Sequence, residues 1–353
     1  MNKTSTALLR PGVPLALASA LAFGASTPFS KLLLATIPPQ LQAGLLYLGA
    51  GIGLAALHLT RSVFRFPSDE APLTKPDLPW LAAIILSGGI IGPLLLMFGL
   101  QRSSAASGAL LLNLESLCTM AIAWIIFREN VDRRLLLGAF AILSGAALLS
   151  FNGTGFHLNA GSTLIAGACL AWGIDNNLTR KLSAADPVVI ALIKGLAAGA
   201  VNTACAILFG ARLPAIPLIT AAAIVGFAGI GLSLVLFVLA LRHLGAARTG
   251  AYFSLAPFIG AWLAVAYLGD PLTLKLLLAG VLMGLGLWLH LAERHQHEHQ
   301  HKALQHDHSH THDDHHQHPH EGPVTEPHTH PHQHQPLRHK HPHYPDLHHR
   351  HQH

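Results

Sequence analysis

The sequence predicts an all-α integral membrane protein of ten transmembrane helices, arranged as two inverted five-helix repeats and followed by a disordered His-rich tail. Three observations carry this expectation. Of the 353 residues, 51% are apolar and only 11% are charged, which is too apolar for an ordinary soluble chain. Apolar runs of about 20 residues recur from Pro11 to about Leu291, the length a helix rising ~1.5 Å per residue needs to cross ~30 Å of hydrocarbon. Finally, 23 of the 27 histidines lie at or beyond His295, so the chain changes character near Leu291.

The ten spans fall at 12–36, 40–60, 79–101, 104–127, 134–151, 160–180, 187–209, 216–241, 246–268 and 273–292. Arg10 and Pro11 precede the first, and no small-residue cleavage site leads into a soluble domain, so it reads as a membrane helix and not as a removed signal. Lys3 and Arg10 stand before span one, Arg61, Arg65 and Lys75 between two and three, and Arg128, Arg133 and Arg134 between four and five. Arg180 and Lys181 separate spans six and seven, and Arg242 separates eight and nine. The alternate loops carry only Arg102, Arg212 and Lys275. Basic loops stay cytoplasmic, which predicts a multi-pass protein of the cell inner membrane with both its N-terminus and its His-rich C-terminus inside. The formal charge of +5 is explained by these loops without a nucleic-acid partner. Cys118, Cys169 and Cys205 all lie within apolar spans, as small buried hydrophobes and not a disulfide framework.

Two internal matches set the domain plan. "LAFGASTPFSKLL" at 21–33 matches "LAWGIDNNLTRKL" at 170–182, an offset of 149 that also places Pro38 on Pro187. "LQRSSAASGALLLNLES" from Leu100 matches "LRHLGAARTGAYFSLAP" from Leu241, and the same offset of 141 puts Glu129 on Asp270 and Gly145 on Gly286. Five helices per half is an odd number, so the second copy enters the membrane inverted, a recurrent plan of secondary transporters. The predicted units are residues 1–151, 152–292 and the tail, 293–353.

With "LAPFIGAWLAVAYLGDPLTLKLLLAGVLMGLGLWL" at 255–289, residues 12–291 resemble the EamA-type transporters of the drug/metabolite transporter superfamily. The resemblance implies a transporter, not an enzyme, energised by gradients, and it specifies no substrate. The family's mark is an acid ending the fourth helix of each half, followed by a short linker and a Gly-containing fifth helix. Here those acids are Glu129 and Asp270, and capping the next helix or bonding the linker is the role expected of them. Where the family commonly carries a Pro midway through the fourth helix, as at Pro257, the first half has Glu115 and Ser116 opposite Ala256 and Pro257. The halves are therefore not equivalent in function.

Glu115 lies about eleven residues from either end of its span, ~17 Å deep by helix rise. A charge at that depth must face the bundle interior and be partnered or protonated, so it reads either as a proton-coupling or cation-binding carboxylate or as a structural acid bonded to Thr119 or Asn113. Asp175, followed by Asn176 and Asn177, takes part either in substrate handling or in a pairing with Arg180 or Lys181. Lys194, ~10 Å from the inner interface, snorkels to the headgroups or pairs with Asp175 or a substrate carboxylate. Trp172, one turn before Asp175, shapes a pocket or simply packs. Lys31 and Arg180, at matching repeat positions, read as interface anchors. Glu115 and Cys118 share a helix face as two candidate ligands for a soft divalent metal.

The tail runs in His-X-His units: His295, His297, His299 and His301, then His306, His308, His310 and His312, then His315 and His316, and onward to His343. Almost no apolar residue interrupts it, so it is expected to be disordered without ligand. Imidazole suits Zn, Ni, Co and Cu, and the overlapping pairs form many weak sites instead of one folded zinc site. No other cofactor is required, because the chain holds no H-E-x-x-H, P-loop or Rossmann glycine pattern. Taken together, these features predict a proton-coupled exporter of a small polar metabolite or a divalent transition metal, in the lipid bilayer, with Glu115, Asp175, Asn176, Lys194, Asn113 and Trp172 near the route. A homodimer is compatible with this reading. The rival is a membrane-anchored metal buffer or sensor whose bundle is a scaffold.

Overall fold

A computed structural model describes residues 12–63, 73–127, 133–150, 159–179, 182, 185–244 and 246–291, together with four backbone segments of the tail. The chain divides into a helical unit, Met1–Ala292, and a second unit, Glu293–His353. Glu129, Arg180 and Lys181 lie outside the described residues, as do His295, His301, His312, His315 and His316.

Fourteen α-helices build ten rods in the helical unit among the described residues, and the protein is an all-α membrane protein. Single helices form α1 (Gly12–Leu33), α2 (Pro39–Val63), α7 (Arg133–Ser150), α8 (Ala160–Thr179), α9 (Pro187–Leu208) and α14 (Leu274–Leu291). The third rod is α3 (Leu78–Ile84), a π-helical segment (Ile85–Ile91) and α4 (Gly92–Gln101), and the fourth is α5 (Ala105–Leu111) and α6 (Leu114–Phe127). Their counterparts are α10 (Ile216–Gly226), a π segment (Phe227–Leu232) and α11 (Ser233–Leu244), then α12 (Ala246–Phe253) and α13 (Ala256–Leu268). Both π segments, and both turns inside the fourth and ninth rods, recur within one residue of the offset of 141 seen in the sequence. The helix directions alternate, so the ends of α1, α4 and α13 and the starts of α2 and α5 share the membrane face opposite the N-terminus.

Seven of these rods are long and apolar enough to cross a membrane by length and composition, and Ala256–Leu268 and Leu274–His290 are shorter apolar helices. The 20-residue α8 has the length, but Asp175, Asn176 and Asn177 dilute its apolar character. The fourth span, expected over 104–127, is one apolar helical rod over Ala105–Ile126, with a tight turn at Leu112 and Asn113 that places Glu115 in the first turn of α6. The backbone stays bonded through that turn, the Asn113 N–H donating to the Leu110 carbonyl at 3.1 Å and the Glu115 N–H to the Leu112 carbonyl at 3.0 Å.

Pseudo-equivalent helices pair with each other, α2 with α9 and α7 with α14. Small residues let these backbones touch: a Cβ on Gly195 would stand 2.8 Å from the Gly51 backbone, and one on Gly286 only 2.5 Å from the Gly138 carbonyl. Close backbone packing replaces the hydrophobic drive that lipid cannot supply. The outward faces carry Leu137, Phe140, Val281 and Trp288, all exposed, as lipid contact requires.

In the tail, the backbone forms β1 (Gln296–Gln300), β2 (Leu304–His310), β3 (His328–His334) and β4 (Arg338–Pro342). β1 pairs with β4 and β2 with β3, both antiparallel. His-X-His alternates every two residues, the period of a strand, so each register sets His opposite His at alternate positions.

Candidate functional site

The candidate site gathers side chains from α2, α6, α8 and α9 and a backbone carbonyl from the π segment of the third rod. Local signals set each one. Asp186 caps α9, its carboxylate accepting from the Val188 N–H at 2.8 Å, and Pro187 at the first position fixes the start. Lys194 therefore stands two turns into α9, where its ammonium pairs with the carboxylate of Asp175. The pair is largely buried, with side-chain exposures of 18% and 7%, and Thr179 adds a contact at 3.4 Å to the other Asp175 oxygen. Of the sequence alternatives, Lys194 takes the pairing with Asp175 and does not snorkel.

Glu115 is half-buried, and its Oε1 accepts from the Asn176 amide at 3.0 Å. The same amide lies 3.2 Å from the Thr119 hydroxyl, which donates to the Glu115 backbone carbonyl at 2.9 Å. Asn177 ties the two helices, donating to the carbonyls of Thr119 at 3.0 Å and Gly173 at 2.8 Å. The structural alternative for Glu115 named Thr119 or Asn113 as side-chain partner, yet Asn176 fills that place. Asn113 instead donates to the Leu110 carbonyl at 2.8 Å and faces the Met283 sulfur at 3.9 Å, at the tight turn before α6. Asn176 itself is exposed, on the face opposite the outward-pointing Leu170 and Ile174. Glu115 is thus reachable from the space between the helices.

Tyr47 and Trp172 converge on one backbone atom. The Gly88 carbonyl accepts from the Tyr47 hydroxyl at 2.9 Å and from the Trp172 indole N–H at 3.0 Å. It is free to do so because the Gly92 N–H, four residues on, bonds the Ser87 carbonyl, and the residue five on is Pro93, which has no N–H. Gly88 also has no room for a side chain, since a Cβ there would run into the Asp175 carboxyl. Tyr47, Gly88 and Pro93 escaped sequence reasoning. The signal that could have found them is Gly88 followed by Pro93 in an apolar span that faces the lone Tyr of its neighbour.

Other expected residues stand apart. Asp270 caps a helix of the other half, its Oδ2 accepting from the Ala106 N–H of α5 at 2.8 Å, and not the following α14. The Lys31 ammonium donates to the Leu100 carbonyl at 2.6 Å and the Gln101 carbonyl at 3.3 Å, at the C-terminal end of α4, where a cation is favoured. Cys118 packs on Gly173, and among the described residues no three His, Cys, Asp or Glu side chains come together as metal ligands. The three cysteines are free.

The EamA-like transporter model matches residues 10–151 and again 159–292. The chain belongs to the EamA-like transporter family. A protein of Methanothermobacter thermautotrophicus named an uncharacterized transporter is 28% identical over 74% of this chain and 80% of its own length. The uncharacterized transporter YyaM of Bacillus subtilis is 25% identical over 66% of this chain and 79% of its own. A probable 4-amino-4-deoxy-L-arabinose-phosphoundecaprenol flippase subunit, ArnE of Pseudomonas paraeruginosa, is 36% identical over 28% of this chain and 85% of its own. One solved crystal structure agrees in fold, with a TM-score of 0.55 and 22% identity over 77% of this chain and 96% of that one. This EamA-family protein is a multi-pass membrane transporter and not an enzyme.

Proposed function

We propose that this transporter is a proton-coupled exporter of a small polar metabolite, with Glu115 as the coupling carboxylate and Asp175, Asn176 and Lys194 along the route. The single observation that carries this is a half-buried carboxylate bonded only to a neutral amide among the described atoms, inside a bundle where unpaired charge is costly. A group so placed gains from taking up a proton or a cationic partner. Lys194 supports the metabolite over the metal: an ammonium beside the carboxylates disfavours a divalent metal and suits the anionic or hydroxyl groups of a metabolite. The relatives named as flippase subunits for an amino sugar carrier fit a polar, charged cargo. Orientation in a bacterial-type inner membrane with both termini cytoplasmic is supported by the basic loops.

Proteoliposomes loaded with a mixture of polar metabolites and an internal pH dye test this reading. An imposed proton gradient is expected to drive the loss of one or a few metabolites, read by mass spectrometry. Glu115→Gln, which keeps size and hydrogen bonding, should stop that loss while the protein stays folded. Equal fluxes for wild type and Glu115→Gln would rule out the coupling role.

The tail supports a second, separate activity as a weak buffer for Zn, Ni, Co or Cu. Its registers set His297 opposite His341 and His299 opposite His339, then His306, His308 and His310 opposite His332, His330 and His328. Cells making the full chain should hold more metal than cells making a chain stopped after Glu293, with no dependence on Glu115. Identical metal contents would remove the buffer from the account.

A further inference from the structure

At the membrane face opposite the N-terminus, α4 ends and α5 begins within the tight corner Gln101–Ala106. A helix end presents unpaired carbonyls and a helix start unpaired N–H groups, so a cation suits the first and an anion the second. Lys31, in the last turn of α1, supplies the cation to the Leu100 and Gln101 carbonyls. Asp270, between α13 and α14, supplies the anion to the Ala106 N–H. The Asp270 charge is near enough to act on Lys31. Three parts of the chain, two from the first half and one from the second, are thus pinned to a single corner.

On this face α1 packs against α4 and α5. Asn176, exposed beside Glu115, fits a site closed at the Lys31 corner and open away from it.

We propose that Lys31 and Asp270 form the gate of the transport path at the face opposite the N-terminus, holding the α4–α5 corner shut in the state seen here. This rests on the transport reading, but its test does not need the cargo. Opening at this face requires Lys31 to leave the α4 carbonyls and Ala106 to leave Asp270, and both groups then return to water.

The test uses the full chain with Cys118, Cys169 and Cys205 replaced by Ala and Asn176→Cys as a reporter, in proteoliposomes. A membrane-impermeant maleimide is applied to each side in turn. Labelling is expected mainly from the N-terminal side. Lys31→Met should raise the rate from the opposite side about tenfold, equivalent to about 1.4 kcal/mol, and Lys31→Arg should return it. Asp270→Asn, which keeps a capping oxygen but loses the charge, should give a smaller rise. Labelling from the N-terminal side that persists in each variant shows that it is folded and inserted. An unchanged rate from the opposite side in both Lys31→Met and Asp270→Asn would overturn the gate. A raised rate in the reporter protein, together with no metabolite movement by the chain that keeps Asn176, would leave the gate standing and remove the transport reading.

Discussion

The two halves of the membrane unit share one backbone frame and differ in its chemistry. Gly88 is pressed against Asp175, and at the matching offset Gly229 is pressed against Ser26. Lys194 corresponds to Leu45, Trp172 to Phe23, Asn176 to Thr27 and Glu115 to Ala256. The fold thus builds the same crossing of a π segment, a rod with a tight turn and a neighbouring helix twice, and loads ionisable groups into only one copy. What the difference teaches is that one frame holds either content, and under the proposed function the cargo and the coupling ion are handled on the side of α6, α8 and α9.

The largest effect expected from this contrast is on stability. Lys194→Met leaves Asp175 as an uncompensated buried charge, which costs ~3–5 kcal/mol, whereas Leu45→Met at the matching place, also buried, should cost under about 1.5 kcal/mol. Thermal unfolding in detergent compares the two. The double variant Lys194→Met with Asp175→Asn should recover much of the loss, because both charges are gone. Similar losses for Lys194→Met and Leu45→Met would mean that the two crossings are energetically alike.

Next comes a functional contrast. Glu115→Gln should cut proton-driven flux at least about tenfold, since the amide cannot exchange a proton while the hydrogen bond to Asn176 survives. Thr27→Ala, at the place matching Asn176, should leave the flux within about twofold, because Ala256 stands there in the place of Glu115. Flux assays on the two variants decide whether the loaded crossing alone couples transport.

Much of the fold was legible in the sequence because lipid imposes a length and an apolar composition on each span. The ten rods lie within a few residues of their expected places, and the inverted repeat follows from two offsets. The Asp175–Lys194 pair was also within reach, as one of few ways to satisfy charges at that depth. Three features were not legible. The tight turn at Asn113 was not legible, because an Asn sits as readily within a straight helix facing the bundle interior as at a turn. The choice of Asn176 over Thr119 as the Glu115 partner depends on how α6 is rotated against α8, which sequence spacing does not fix. The capping of α5 by Asp270 joins residues 164 positions apart, beyond any local pattern.

The smallest effect tests the Gly88 carbonyl. Pro93 denies that carbonyl its backbone donor, and the second half has Leu234 at the matching place, with an N–H to give. Tyr47→Phe removes one hydrogen bond to the carbonyl and should cost ~0.5–1.5 kcal/mol. Pro93→Ala should restore a competing N–H, let the helix reclaim the carbonyl and loosen the Trp172 indole. A shift in Trp172 emission, read in a chain whose other four Trp are Phe, is the expected sign. If Pro93→Ala leaves that emission unchanged while Tyr47→Phe still destabilises, the tyrosine bond does not depend on the proline. The asymmetry between the halves at this crossing then comes from the side chains of Tyr47 and Trp172 alone, not from the backbone of the third rod.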